Sequence, residues 1–203
     1  MTVPEIEVQR GSPPLRRRNA AATREAILRS ALVAFTRHGY DGVGVREIAQ
    51  QASVTAMMVN RYFGSKEQLF AEVVEVTFSE RTLIADDIAS LSRFAAAALV
   101  ASEPRSVDGF LLMVRSVSNP RATEMLRAGI DRHFQRHLVS VLPGAHAQER
   151  AALFLSLLAG VRLMQQVMNN PALAAADEPA LARRLEAMFQ LLTEPPAEED
   201  HPR

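Results

Sequence analysis

The strongest constraint on this chain is the spacing of stop signals between residues 39 and 69, which leaves room only for short helices. Gly39 ends one helical pattern, and Gly44 or Val45 opens R-E-I-A-Q-Q-A, which ends at Ser53. Thr55 is a good N-cap hydroxyl for A-M-M-V-N-R-Y-F, residues 56–63, and Gly64 stands where a left-handed residue closes a helix. Ser65 starts the next helix, with Gln68 at capping-box spacing. Val45, Ile48, Ala49, Val54, Val59 and Phe63 can face one small core. A helix of about two turns does not persist alone in water, so its neighbours must hold it. Two such helices joined by a tight turn form the helix-turn-helix plan, whose second helix enters the major groove of DNA.

The flanks extend this plan. Ile27, Leu28, Ala31, Leu32 and Phe35 form an apolar stripe at helical spacing, which predicts a helix from about Thr23 to His38. Tyr40 either packs beneath it or reaches a phosphate with its hydroxyl. Residues 1–22 carry Pro4, Pro13, Pro14 and the cluster Arg16, Arg17, Arg18, with little apolar periodicity. They read as a disordered basic arm, either tracking DNA or merely solubilising. Helix 4 is expected from about Ser65 to Glu80, burying Leu69, Phe70, Val73, Val74 and Thr77.

The charge is uneven. The whole chain sums to zero, yet between Arg10 and Lys66 ten basic residues face only Glu25, Asp41 and Glu47, a balance of +7 that leaves −7 on the rest. A basic N-terminal third beside an acidic remainder points to a polyanion partner at one end only.

Residues 23–70, with their G-Y, I-A, N-R-Y-F-G and S-K-E-Q-L-F, resemble the DNA-binding domain of the TetR/AcrR family of repressors. The chain departs from the family pattern at Gly44 (usually Thr or Ser), Ser53 (usually Gly) and Asn60 (often Tyr). The resemblance implies DNA contacts from Arg46, Thr55, Ala56, Met57, Met58, Asn60, Arg61, Tyr62 and Lys66. Arg46 can grip guanine O6 and N7 or clamp a phosphate. Met57 is the more exposed methionine and Met58 lies at the groove edge. Asn60, Arg61 and Tyr62 look like phosphate or groove-edge contacts. Lys66 stands at a helix N-terminus, where unpaired N–H groups already favour an anion.

From there periodicity is helical throughout, so the fold class is all-α. Residues 82–88 read as a connection that Asp86 and Asp87 can cap. Helices follow over residues 90–102 and 106–117, and another opens at Asn119-Pro120 and runs to Val141, before the break at Pro143-Gly144. Residues 147–168 are apolar nearly all round, and residues 178–192 form the last helix. A helix apolar on every face must be buried on every face, which predicts a two-fold interface through 147–168 and 178–192. The family's dimerisation through its last two long helices agrees. The expected organisation is an arm over 1–22, a DNA-binding domain over 23–66, a regulatory and dimerisation bundle over 67–193, and a disordered tail over 194–203.

Phe94, Phe110, Met113, Phe134, Phe154, Met164 and Met168 could line an apolar cavity for a small ligand or be plain core. The resemblance implies that such a ligand moves two reading heads apart and releases a palindromic double-stranded operator. His133 and His137 are one turn apart, as metal ligands can be, but no Glu-x-x-His pair accompanies them, so no metal site is expected. Neither a Gly-rich phosphate loop nor a nucleophile constellation appears, so neither enzyme activity nor a cofactor is expected. There is no cysteine, which excludes disulfides and thiolate metal sites and suits a reducing cytoplasm. No apolar run predicts a signal peptide or a membrane span. The rival reading is a helical small-molecule or metal-binding protein without DNA-binding activity.

Overall fold

The computed structural model describes residues 15–79, 88–101 and 105–195. Every element among them is helical: α1 (Leu15–His38), α2 (Val45–Gln51), α3 (Ala56–Phe63), α4 (Lys66–Ser79), α5 (Ile88–Val100), α6 (Arg105–Ser116), α7 (Pro120–Ile130), α8 (Arg136–Val141), α9 (Ala147–Gln166), α10 (Pro171–Ala174) and α11 (Glu178–Thr193), with a π-helical turn at Asp131–Gln135 joining α7 to α8.

The first three helices surround one core. Ile27, Ala31 and Phe35 of α1 meet Ile48 and Ala49 of α2, Val59 and Phe63 of α3, and Leu69 and Phe70 of α4, all buried. Phe35, Tyr40 and Phe70 form a ring cluster with centroids 5.0–6.1 Å apart. Such pairs contribute about 0.5–1.5 kcal/mol each beyond the area they bury.

The turns follow the expected chemistry. Met58 N–H donates to Thr55 Oγ1 at 3.4 Å, and Gly64 adopts φ +78° as its N–H closes onto Asn60 O. Gln68 N–H donates to Ser65 Oγ at 3.2 Å, so the Ser65 half of the capping box forms. Ser53 takes φ +55°, a left-handed conformation that the family's usual glycine would adopt without strain.

Two boundaries differ from expectation. α1 begins at Leu15, eight residues before Thr23, so part of the expected arm is helix. L-R-R-R-N-A-A-A consists largely of strong helix formers but has no apolar periodicity, so propensity and not pattern marks the helix there. Residues 1–14, Glu80, the expected connection up to Asp87, and the tail beyond Pro195 lie outside the described residues. After Asn170, which caps Ala172 N–H at 2.9 Å, Pro171 opens the single turn α10 rather than a plain stop.

α4 packs on α1 and on α7, so it belongs to both halves of the molecule. α5 lies along α11, with Leu91, Ala95 and Leu99 facing Leu185 and Phe189. The rings of Phe154 of α9 and Phe189 lie 4.4 Å apart at a tilt of 42°. Arg150 is buried and donates to the carbonyls of Pro143 and Ala145 and to those of Leu192 and Glu194 at the C-terminus of α11. α9 is not covered on every face within one chain: Leu153, Leu163, Met164 and, just past its end, Met168 are exposed, as are Met188 and Leu191 on α11.

Candidate nucleic-acid interface

α3 has two opposed faces. Val59 and Phe63 are buried against α1, α2 and α4, while Met57 is 80% exposed and Asn60 and Arg61 stand beside it in solvent. Ala56, Met58 and Tyr62 are half-buried along the edges, and Thr55 is exposed at the N-terminal end. Arg46 projects from α2 on the exposed side of the Ile48–Ala49 face. The nine residues singled out from sequence thus share the rim of one small domain. A methionine this exposed in the first turn of an eight-residue helix has no packing role in the single chain.

Lys66 opens α4 at the edge of this rim, and its Nζ lies 4.4 Å from the centre of the Tyr40 ring. The ammonium is held over an aromatic face instead of trailing in solvent, a contact worth about 0.5–1 kcal/mol at exposed sites. Tyr40 itself packs: the ring is 4% exposed, and its hydroxyl bonds to Glu67. Burial, reinforced by the Glu67 charge, pushes the phenol up to about 12. Glu67 is held below the usual carboxylate range by its own backbone N–H, then by the Ser65 hydroxyl, and Arg121 of α7 pairs with it at 3.2 Å.

The loop after α1 is clasped by α6 and α7. Tyr40 N–H donates to Ser116 Oγ at 3.0 Å, Arg115 Nη1 to Thr36 O at 2.6 Å, and Asn119 Nδ2 to Asp41 Oδ1 at 2.8 Å. Gly39 has φ +70°, and a Cβ there would run into the Arg115 carbonyl, so only glycine permits this approach. Sequence reasoning missed this clasp because its partners lie more than 75 residues apart. The one local sign was Gly39, read only as a helix stop.

A second set of contacts ties α4 to the π-helical turn. Glu75 accepts from Arg132 and from His133 Nε2, the latter at 2.9 Å. Burial works to raise the Glu75 carboxyl, but the hydrogen bond and charge of His133, with Arg132, outweigh it and hold the group below its ordinary range. Phe134 of the same turn meets Phe78 of α4 edge-on at 5.4 Å. Gly129 approaches so closely that a Cβ would strike Val74 and Phe78. His133, weighed earlier as a metal ligand, is hydrogen-bonded to Glu75. Among the described residues no group of three or more His, Asp or Glu side chains converges as a metal site.

Against this turn lies a cavity of about 120 Å³ whose lining includes Phe78, Phe110, Met113, Phe134, Phe154 and Arg162. Four of the seven residues expected there are present. Phe94, Met164 and Met168 are not: Phe94 projects from α5, 44% exposed, and the two methionines lie on the open side of α9 and beyond its end. Helical spacing marked all three as apolar but could not tell an inward face from one left open in the single chain. Among the described residues no helix is long and apolar enough to cross a membrane.

The chain resembles known proteins along most of its length. Residues 27–73 match a family profile described as bacterial regulatory proteins, tetR family, and residues 91–192 match one described as tetracyclin repressor-like, C-terminal domain. The HTH-type transcriptional regulator BetI of Agrobacterium fabrum is 38% identical over 119 residues, which is 58% of this chain and 50% of BetI. The HTH-type transcriptional regulatory protein RaaS of Mycobacterium tuberculosis is 49% identical over 53 residues, 26% of this chain and 24% of RaaS. The matched segments thus span half or less of these relatives' own length. The crystal structure of NalD, the secondary repressor of the MexAB-OprM multidrug efflux pump in Pseudomonas aeruginosa, shares the fold with a TM-score of 0.61, at 22% identity over 85% of this chain and 96% of that one. With one profile covering half the chain and the other its helix-turn-helix, this protein belongs to the TetR family of bacterial regulatory proteins.

Proposed function

We propose that the protein is a homodimeric transcriptional repressor that binds a palindromic DNA operator and is released from it by a small molecule. The observation that carries this reading is the solvent-facing side of α3, with Met57 uncovered, Asn60 and Arg61 beside it, and an inner face wholly buried. In this reading α3 lies in the major groove. Met57 and Ala56 meet base edges or thymine methyls, and Arg46 reads guanine or clamps a phosphate. Thr55, Met58, Asn60, Arg61 and Tyr62 line the groove edge. Lys66 leaves the Tyr40 ring for a phosphate at the α4 N-terminus.

The uncovered apolar side chains of α9 and α11 support a two-fold interface through residues 147–168 and 178–192. Two heads in one dimer engage half-sites roughly 34–36 Å apart. A ligand in the cavity touches Phe134 and Phe78 directly, and through them the π-helical turn and α4, which starts beside α3. Release requires only a modest coupling, typically about 1–3 kcal/mol. NalD is a repressor, which favours repression over activation for a chain of this fold. Such a regulator works at the chromosome, in the cytoplasm.

The test is a gel shift of the full chain on DNA from immediately upstream of its own coding sequence, at several salt concentrations. Binding with a steep salt dependence supports the reading. Absence of preference for any duplex fragment in dilute buffer removes it.

A further inference from the structure

The cavity against the π-helical turn is roomy for its chemistry. Its volume of about 120 Å³ equals the share of about four water molecules in the liquid, at roughly 30 Å³ each. A buried water needs about two to four polar partners, and this wall does not supply them. Phe78, Phe110, Phe134 and Phe154 line it with Met113 and Leu158, and among the described residues Arg162 is the one polar residue of the wall. Arg162 is 7% exposed, its Nη2 donates to Ala98 O, and the side chain has a further partner within the chain. Its charge is therefore engaged by the fold.

A space of this kind stays dry. In another protein an engineered cavity of about 150 Å³, walled by leucine, isoleucine and phenylalanine, excludes water and binds benzene. Voids larger than one water are few in a protein interior, because the atoms around them lose contact partners. The position of this one favours a binding role over a packing gap. Ile130 and Phe134, at the start and within the π-helical turn, both belong to its wall, and such turns are rare and recur at functional sites. The turn is also anchored from outside, since Glu75 of α4 accepts from Arg132 and His133. The wall is thus held in place without a guest.

We infer that this cavity binds a compact, uncharged hydrocarbon group, one aromatic ring or an alkyl group of similar bulk, held by shape and apolar contact without a hydrogen bond or an ion pair. That this guest is the effector rests on the ligand-responsive reading above, for which it names the ligand class. Two fused rings exceed the space, and a charged head would shed its hydration with nothing to replace it.

The full-length protein is titrated calorimetrically with toluene, phenol, benzoate and naphthalene, each up to its solubility limit. Toluene is expected to bind at least about fivefold tighter than phenol, whose hydroxyl gives up its water partners, and benzoate and naphthalene are expected to bind more weakly still. Ala159→Phe, which fills the cavity, is expected to remove toluene binding. Phe110→Ala, which enlarges it, is expected to strengthen naphthalene binding at least about fivefold, with helicity retained. Phenol or benzoate bound as tightly as toluene overturns the proposal in favour of a polar head, and naphthalene preferred by the wild type overturns the size limit. Absence of toluene binding also overturns it. So does toluene and naphthalene binding that Phe110→Ala leaves unchanged, because the guest then lies elsewhere. DNA release is read separately by fluorescence anisotropy on an operator duplex. Toluene binding without any effect on DNA leaves the cavity assignment standing and removes release by a ligand from the function proposed above.

Discussion

The backbone N–H of Tyr40 donates to the hydroxyl of Ser116 across 3.0 Å of interior, joining the loop after α1 to the last residue of α6. Ser116 is fully buried and α6 also contributes Phe110 and Met113 to the apolar cavity, so one helix touches both that cavity and the helix-turn-helix domain. Ser116→Ala leaves a buried donor unpaired. Chemical denaturation is expected to show a loss of about 1–3 kcal/mol. A change within a few tenths of a kcal/mol means that the clasp is not formed in solution.

Tyr40 also makes stability sensitive to alkali. Its phenol ionises near 10 in the unfolded chain and is pushed up to about 12 in the fold by burial and Glu67. A raised folded value stabilises the native state below pH 10, and the contribution disappears as pH rises from about 10 to 12, because the unfolded chain releases its proton first. The shift corresponds to roughly 2–3 kcal/mol. Urea melts from pH 9 to 12 should show a steeper alkaline decline for the wild type than for Tyr40→Phe. Parallel curves for the two proteins argue against a buried phenol.

Ser53 holds φ +55° between the two helices of the reading head. Ser53→Gly removes the Cβ conflict of that conformation, worth about 1–2 kcal/mol, at a cost of about 0.5–1 kcal/mol in unfolded-chain entropy. The expected net result is a gain of roughly 0.5–1 kcal/mol and a higher denaturation midpoint. A lower midpoint would show that the serine side chain contributes more than its strain removes.

On DNA, Lys66→Ala and Arg46→Ala should behave differently. Lys66 at the α4 N-terminus is expected to weaken binding alike on every sequence, and to reduce the salt slope by about one charge. Arg46, exposed on α2, is expected to change base preference. A sequence-confined effect at Lys66, or a uniform one at Arg46, exchanges their roles.

The apolar side chains left open on α9 and α11 predict a dimer that a single charge disrupts. Leu191 is 77% exposed in the single chain, so Leu191→Glu costs the monomer little yet buries an unpaired carboxylate at a two-fold contact. Sedimentation at micromolar concentration is expected to show the wild type as a dimer and the variant shifted to monomer. A wild-type monomer under those conditions would falsify the interface.

Much of the head was legible because its signals are local. Thr55, Gly64 and Ser65 act within three or four residues, and the spacing of Ile48, Ala49, Val59 and Phe63 alone assigns them to the interior. Asn119-Pro120 was equally readable, since Asn119 Oδ1 accepts from Arg121 and Ala122 N–H, 3.0 and 3.1 Å away. The start of α1 was not, because L-R-R-R-N-A-A-A carries no apolar period to read. The π-helical turn was invisible for another reason: D-R-H-F-Q continues the same helical pattern, and only its docking against Glu75 and Phe78 distinguishes it.

What the amino-acid order determined by itself is therefore the all-helical class, the short paired helices of the reading head, and the exposed side of α3, since each depends on hydrogen bonds and side-chain periods spanning a few residues. Tertiary structure alone decided which apolar residues enclose a cavity, sending Phe134 and Phe154 inward and leaving Phe94 and Met168 outside. It also decided that Tyr40 is clasped by Ser116 and Glu75 by His133. Those outcomes depend on how whole helices rotate and abut. Periodicity marks a face as apolar, but not which neighbour it meets.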